Sequence, residues 1–179
     1  MLKSGLMVAT ITFAIVLSGC TKNKTASVRP SSTPAAPINT KTAGPLADAG
    51  FKAEITAAEP PTKLRAGQVE VINIKVKNIS NVIWWQRGGE LNDRSDNKFY
   101  IAAGNRWLDK DGKLSSETEG HNGIPKDLKP GEETEMPLQI TAPKTPGDWT
   151  LNLDMVQEGV AWFGEKGSPT TKIKVMVVK

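Results

Sequence analysis

The chain alternates apolar and polar residues in short runs from Phe51 onward, and this alternation restricts its possible folds more than any other feature. Within residues 68–77, Ile72, Ile74 and Val76 lie two positions apart with polar residues between them. Successive side chains of an extended strand point to opposite faces, so the run predicts a strand with one buried face. No window shows a convincing apolar stripe of helical period, and 16 Gly and 12 Pro interrupt the runs. A long helical bundle or coiled coil is therefore excluded.

Further short apolar runs bring the predicted number of strands to about seven. They cover residues 51–55, 82–85, 99–103, 106–108, 135–141, 149–155 and 173–177. Tight turns are predicted at Gly104-Asn105 and Asp111-Gly112, and Pro137 favours an edge position for its strand. This spacing is typical of an all-β, antiparallel immunoglobulin-like β-sandwich. Because the chain has one Cys, apolar packing rather than an intrachain disulfide must hold the sheets together.

Residues 1–19 have the organisation of a signal peptide. Lys3 gives a positive start, and residues 5–17 are apolar but too short to serve comfortably as a permanent membrane span. The junction LSGC at residues 17–20 resembles the lipobox of bacterial lipoproteins, in which the Cys becomes the N-terminus and carries diacylglycerol and usually an acyl chain such as palmitate. Several acyl chains anchor a protein stably, whereas one does not. The predicted lipidation site is Cys20, and the alternative is a secretory peptide with an incidental Cys.

Residues 20–50 are predicted to be a lipidated Cys followed by a disordered linker. The segment is rich in Ser, Thr, Ala and Pro and contains no aromatic residue, so it cannot bury enough apolar surface to offset the entropy of ordering. It would act as a spacer that holds the sandwich domain, residues 51–179, off the membrane of a bacterial cell envelope. Thr21 rather than Asp follows the Cys, which resembles an outer-membrane sorting signal if the host is Gram-negative.

The formal net charge of +4 originates outside the predicted sandwich. Five of the 23 basic residues and one of the 19 acidic residues precede Phe51, which leaves 18 of each in the domain. The domain also lacks a basic stripe interleaved with aromatic residues, so no nucleic-acid partner is predicted. The partner that the lipobox resemblance implies is a membrane, reached through Cys20.

Four short motifs occur in order along the predicted sandwich. They are VKNISNVIW at residues 76–84, LKPGE at 128–132, APKTPGDW at 142–149 and DMVQEGVAWF at 154–163. Together they resemble the central "four-tryptophan" domain of selective-autophagy cargo receptors, a domain that also occurs in bacterial envelope and secreted proteins, over residues 52–178. The last motif is most similar to the bacterial branch, and Trp149 stands where that family often has Tyr. The resemblance implies a β-sandwich with an accessory role in interactions, and it implies no catalytic residues.

The five tryptophans raise the question of a binding surface. Alternation predicts that Trp84 points inward and its neighbour Trp85 outward, while Trp149 shares the phase of a buried strand face. The phase of Trp107 is open, and of the adjacent pair at positions 162 and 163 one member should be exposed. The candidate binding residues are Trp85, Trp107, Trp162 and Phe163. Exposed rings of this kind stack on sugars or anchor protein partners, and the alternative is that they fill the core.

Catalytic, metal and cofactor sites are not predicted. Asp109 to Gly112 resembles a calcium loop but lacks its later ligands, so a hairpin turn is the preferred interpretation. Asp154 and Glu158 could form a carboxylate pair, but no second acid–base group is indicated nearby. His121 lies between glycines in what is interpreted as a solvated loop. The sequence thus predicts a non-catalytic envelope module that binds a protein or plays a structural role, or alternatively binds peptidoglycan or another polysaccharide.

Overall fold

A computed structural model of the chain describes residues 44–88 and 98–179. The predicted signal peptide, the predicted lipidation site Cys20 and most of the predicted linker lie outside these residues. Residues 89–97 lie outside them as well.

The described residues form nine strands and two short 3-10 helices. The strands are β1 (Ala53–Ala57), β2 (Lys63–Arg65), β3 (Val69–Asn78), β4 (Ile101–Leu108), β5 (Leu114–Gly123), β6 (Glu133–Thr141), β7 (Gly147–Gln157), β8 (Ala161–Trp162) and β9 (Thr171–Val178). The helices are Asp48–Gly50 and Gly164–Lys166. Turns that contain polar residues and Gly separate the strands. Gly is common in turns because it tolerates a positive φ angle.

The strands are arranged in two sheets that pack on one common core. The small sheet has the order β1-β3-β6, and the large sheet has the order β2-β9-β7-β4-β5, with β8 pairing beside the end of β7. Neighbouring strands are antiparallel except for β2 and β9, which are parallel. The molecule is therefore an all-β immunoglobulin-like sandwich, which confirms the predicted fold class.

The core is formed by the alternating residues that the sequence indicated. Ile72, Ile74 and Val76 of β3 are buried, and their small-sheet neighbour β6 buries Met136, Leu138 and Ile140. From the large sheet, Leu151, Leu153, Met155, Val175 and Val177 are buried against them. Burying an aliphatic side chain of this size contributes roughly 1.5–3 kcal/mol, so this apolar core carries the fold without a disulfide. Pro137 lies on β6, at the edge of the small sheet as predicted.

Two local predictions are wrong. Gly104-Asn105 is not a turn, because β4 runs through both residues as one continuous strand paired on both sides. A central strand covered on both faces has no reason to alternate in polarity, and the glycine there serves a close contact rather than a chain reversal. Residues 82–85 do not form a regular strand, since Trp84 makes only an isolated bridge to Leu128.

The domain also begins earlier than Phe51. The side chain of Gln157 donates to the carbonyl of Gly44 at 3.0 Å and accepts from the amide of Leu46 at 2.8 Å. Asp48 pairs with Lys166 at 3.1 Å. These contacts fix residues 44–50 to the sandwich, although the sequence placed them in the linker. The side-chain amide of Gln157 thus forms hydrogen bonds with backbone groups of this segment, and composition alone does not reveal such bonds.

Candidate binding surface

Two of the four predicted surface residues are core residues. Trp107 is completely buried, because it lies within β4 on the same inward face as Ile101 and Ala103. Phe163 is also completely buried, and its ring makes edge contacts with Trp84 at 5.2 Å and with Phe51 at 5.0 Å between centroids. Neither side chain is exposed, so neither can belong to a binding surface: the phase of Trp107, which the sequence left open, is inward, and of the pair at positions 162 and 163 it is Phe163 that is buried.

The remaining two residues, Trp85 and Trp162, are half-buried. Trp85 follows the isolated bridge of Trp84, which is fully buried as predicted. Its indole nitrogen is itself buried and has no hydrogen-bond partner among the residues that the structure describes. Trp162 lies in β8, paired with Val156 of β7. The structure therefore does not assemble the predicted residues into one aromatic surface.

Trp162 is instead held by polar side chains on the outer face of the large sheet. The Arg106 guanidinium carbon lies 4.2 Å from the centroid of the indole, and the His121 ring meets the indole edge-on at 4.9 Å and 82°. A methyl group added at Gly104 would come within 2.7 Å of Cη2 of Trp162. A cation over an indole face is an attractive contact, so the ring is fixed in one orientation.

Arg106 is fixed in turn by two carboxylates. Nη2 lies 3.3 Å from Oδ2 of Asp154, and the side chains of Arg106 and Asp154 are only 10% and 1% exposed. Nη1 donates to Glu165 at 3.1 Å. Burial raises the pKa of Asp154, although hydrogen bonds from the amides of Gly164 and Met155 and the charge of Arg106 act to lower it. A buried pair of this kind is strongly destabilised when one partner is removed.

The third part of the arrangement is the pair of His121 and Glu158. Nδ1 of His121 lies 2.7 Å from Oε1 of Glu158, and the His side chain is 29% exposed. His121 belongs to β5 and is not a solvated loop residue. Glu158 is bonded to His121 while Asp154 is bonded to Arg106, so the suggested carboxylate pair does not form. We call Arg106, His121, Asp154, Glu158, Trp162 and Glu165 the Trp162 cluster.

A shallow groove of about 420 Å³ continues from the cluster around the edge of the sandwich. Val71, Gly120, His121, Asn122, Pro137 and Gln139 line it, and we call it the His121 groove. Asn122 donates to the carbonyl of Pro137 at 2.7 Å, which joins β5 to β6 across the gap between the sheets. Val71 is 58% exposed at one end. Because His121 belongs to both sets, the Trp162 cluster and the groove form one continuous surface.

Sequence reasoning missed this surface, although one signal was available. A glycine inside a strand often marks a site where another group approaches closely, and Gly104 is such a glycine. The prediction of a turn at Gly104-Asn105 placed this glycine outside a strand, so the signal was not recognised. The ion pairs could not be anticipated, because they join residues far apart in the chain: 48 positions separate Arg106 from Asp154 and 37 separate His121 from Glu158.

Within residues 44–88 and 98–179, no group of three or more His, Cys, Asp or Glu side chains is arranged to hold a metal ion. In the same part of the chain, no helix is long and apolar enough to cross a membrane.

Comparison with known proteins adds little beyond the fold. No protein-family model matches the chain, and no curated protein sequence matches it either. Among solved structures, the sporulation control protein Spo0M from Bacillus subtilis matches at 15% identity and a TM-score of 0.40, over 72% of this chain and 49% of Spo0M. The CARDB domain of the PF1109 protein from Pyrococcus furiosus matches at 16% identity and a TM-score of 0.36, over 71% of this chain and 86% of that one.

A beta-glucosidase from Listeria innocua also matches, at 13% identity and a TM-score of 0.39. The match covers 72% of this chain but only 16% of the glucosidase. This chain thus spans about half of Spo0M and a small part of the glucosidase. At these low identities and TM-scores, the similarities carry no argument about activity or partners.

Proposed function

We propose that the protein is a non-catalytic lipoprotein of the bacterial cell envelope, anchored through Cys20, whose immunoglobulin-like domain binds a protein partner. The binding surface is the Trp162 cluster together with the His121 groove. The observation that carries this proposal is the position of His121, which joins a rigidly held, half-buried Trp to an open groove that ends at an exposed Val. Held aromatic and Arg side chains beside a groove are typical of the centres of protein interfaces.

A protein partner is favoured over a polysaccharide by the surroundings of the aromatic rings. A sugar needs an open ring face to stack on. The Arg106 guanidinium already lies over the Trp162 indole, and Trp107 and Phe163 are fully buried. Val71 and Val69, by contrast, expose 58% and 56% of their surfaces on the outer face of β3, and such apolar groups suit a protein surface.

The absence of catalysis is part of the proposal. The His121–Glu158 pair has the form of a base with its orienting carboxylate, but a base also needs a nucleophile within hydrogen-bond reach. The other residues of the groove are Val, Gly, Asn, Pro and Gln. None of these side chains is a nucleophile that a base could activate.

Replacing Cys20 by Ser is expected to release the protein from the membrane. Without the thiol no diacylglycerol can be attached, and stable anchoring needs more than one acyl chain. The measurement is fractionation of cell envelopes followed by detergent phase partitioning of the full chain. A Cys20→Ser chain that is processed and still partitions with the membrane would contradict the proposed anchor.

The binding surface is tested by photo-crosslinking in intact envelopes. A photoreactive amino acid at Gln139, which is exposed in the groove, should give a discrete crosslinked product with one protein. The same group at Leu114, which is 50% exposed at the far end of β5 and does not line the groove, serves as the positional control. Introducing Val71→Arg should lower the crosslinked yield at least about fivefold, the equivalent of about 1 kcal/mol for one interface position.

The matched control for that substitution is Ile79→Arg, since Ile79 is a comparably exposed apolar residue at 44% and does not line the groove. It should leave the yield unchanged. Equal crosslinking from Leu114 and Gln139 would contradict the assigned surface. A product that contains polysaccharide instead of protein would favour the alternative, glycan-binding function.

A further inference from the structure

The outer face of the large sheet is divided into two electrostatically different halves. On one half, Arg106 is neutralised by Asp154 and Glu165. The other half consists of β2 and β9, where Lys63, Arg65, Lys172 and Lys174 are all exposed. We call this half the β2–β9 face. It was not evident from the sequence, because the domain as a whole is neutral.

The four cations of the β2–β9 face form no ion pair with any residue in the described part of the chain. In strand register, Lys172 and Lys174 lie beside Asn152 and Thr150 of β7, which are uncharged. The acid that the register places beside them is Asp148, opposite Met176. The next outward acid of β7, Asp154, is already bonded to Arg106. The face therefore keeps a net positive charge.

Apolar groups lie among these cations. Met176 is 52% exposed and is paired with Lys63 across the parallel strands. Met176 and the half-buried Trp149 line a shallow depression of about 500 Å³, together with Lys110, Lys174, Thr62, Val175 and the single acid Asp148. The indole nitrogen of Trp149 is bonded to the carbonyl of Thr145 at 2.9 Å. Cations that surround a small apolar centre suit an interface between charged head groups and acyl chains.

We propose that the β2–β9 face docks on the anionic lipid head groups of the membrane that carries the anchor. Each Lys or Arg held near an anionic membrane surface contributes about 1 kcal/mol, and the anchor keeps the domain at a high effective concentration beside the bilayer. The docking rests on the proposed lipid anchor for this proximity. The Trp162 cluster and the His121 groove, which lie on β3 to β8 and the second 3-10 helix, contain none of the docking residues.

The test uses the full lipidated chain reconstituted into vesicles. Because Cys20 is the one natural Cys and would be acylated, Met176→Cys introduces a unique thiol for an environment-sensitive fluorophore. In vesicles with phosphatidylglycerol, the label should show a blue-shifted emission that lipid-borne quenchers suppress. In phosphatidylcholine vesicles, or in high salt, the shift should disappear, since salt screens the attraction. A label at Ile79→Cys, on the chain segment after β3, should show the emission of an aqueous environment with both kinds of vesicle.

Lys172→Gln with Lys174→Gln should lower the ratio of docked to undocked protein on the order of thirtyfold, as two contributions of about 1 kcal/mol require. The matched control is Lys126→Gln with Lys129→Gln, two exposed lysines in the loop before β6, which should change nothing.

The outcomes of the vesicle experiment separate the docking from the anchor. If the protein floats with the vesicles and the label at position 176 stays in water, the docking proposal is overturned while the anchor stands. If the protein does not float at all, it is the anchor that fails. A label that responds to a soluble anionic polysaccharide but not to anionic vesicles also overturns the proposal.

Discussion

Replacing Trp84 by Ala is expected to lower the free energy of unfolding by about 3–5 kcal/mol, the usual cost of truncating a buried Trp. Trp84 is fully buried and packs edge-on against Phe163. Its indole nitrogen donates to the carbonyl of Gly50 at 2.9 Å, so the substitution also leaves a buried acceptor without a partner. Since domains of this size are stable by about 5–15 kcal/mol, the loss is a large fraction of the total.

The measurement is urea unfolding of the full chain followed by circular dichroism, which does not depend on the removed fluorophore. Trp149→Ala is the matched control, because this Trp is only half-buried and its nitrogen bonds to the exposed loop carbonyl of Thr145. Its loss should be clearly smaller. Equal midpoints for the two variants would show that Trp84 is not a central element of the core.

Replacing Asp154 by Ala is expected to cost about 3–5 kcal/mol, the range for removing one partner of a buried ion pair. The side chain is 1% exposed, and its loss leaves the largely buried Arg106 with only Glu165, which is itself 56% exposed. The amide of Gly164 loses its acceptor as well. Because Arg106 holds the indole of Trp162, the tryptophan emission should change even below the unfolding transition.

Asp148 provides the matched control on the same strand. It is exposed, so Asp148→Ala should change the stability by less than about 0.5 kcal/mol, as is usual at the surface. A loss for Asp154→Ala no larger than that for Asp148→Ala would contradict the structural role of the buried pair.

The pH dependence of the same site has a definite sign. Burial raises the pKa of Asp154 in the folded protein above its ordinary value of 3.8. The folded state therefore binds this proton more tightly than the unfolded state does, and the contribution to stability is fully present below pH 3.8 and lost as the pH rises through the raised pKa. Relative to Asp154→Asn, which does not titrate, the natural protein should gain stability as the pH is lowered through this window. A constant difference between the two would contradict the raised pKa.

Only some of the candidate site could be predicted from the sequence. The period-two runs of β3, β6 and β9 identified their buried residues, since strands with one solvent face must alternate. β4 and β7 lie in the middle of the large sheet and are buried on both faces. The sequence of such a strand does not show which of its side chains point to the core. This is why the sequence left the phase of Trp107 open and why the strand through Gly104 was misinterpreted as a turn. Two residues of the Trp162 cluster, Arg106 and Asp154, lie on these strands, where alternation does not show which side chains face the core.

The sequence by itself determined that the chain is a β-sandwich, because strand periodicity and turn residues are local properties that each segment expresses alone. It also carries the motif on which the proposed anchor at Cys20 depends. The tertiary structure decided which aromatic residues are buried, which carboxylates pair with Arg106 and His121, and where the lysines without an ion-pair partner among the described residues come together. These outcomes depend on strand order and register, which bring together residues such as Arg106 and Glu165, 59 positions apart. Pairing at that separation is fixed by the order and register of the strands, and the periodicity of the sequence does not report it.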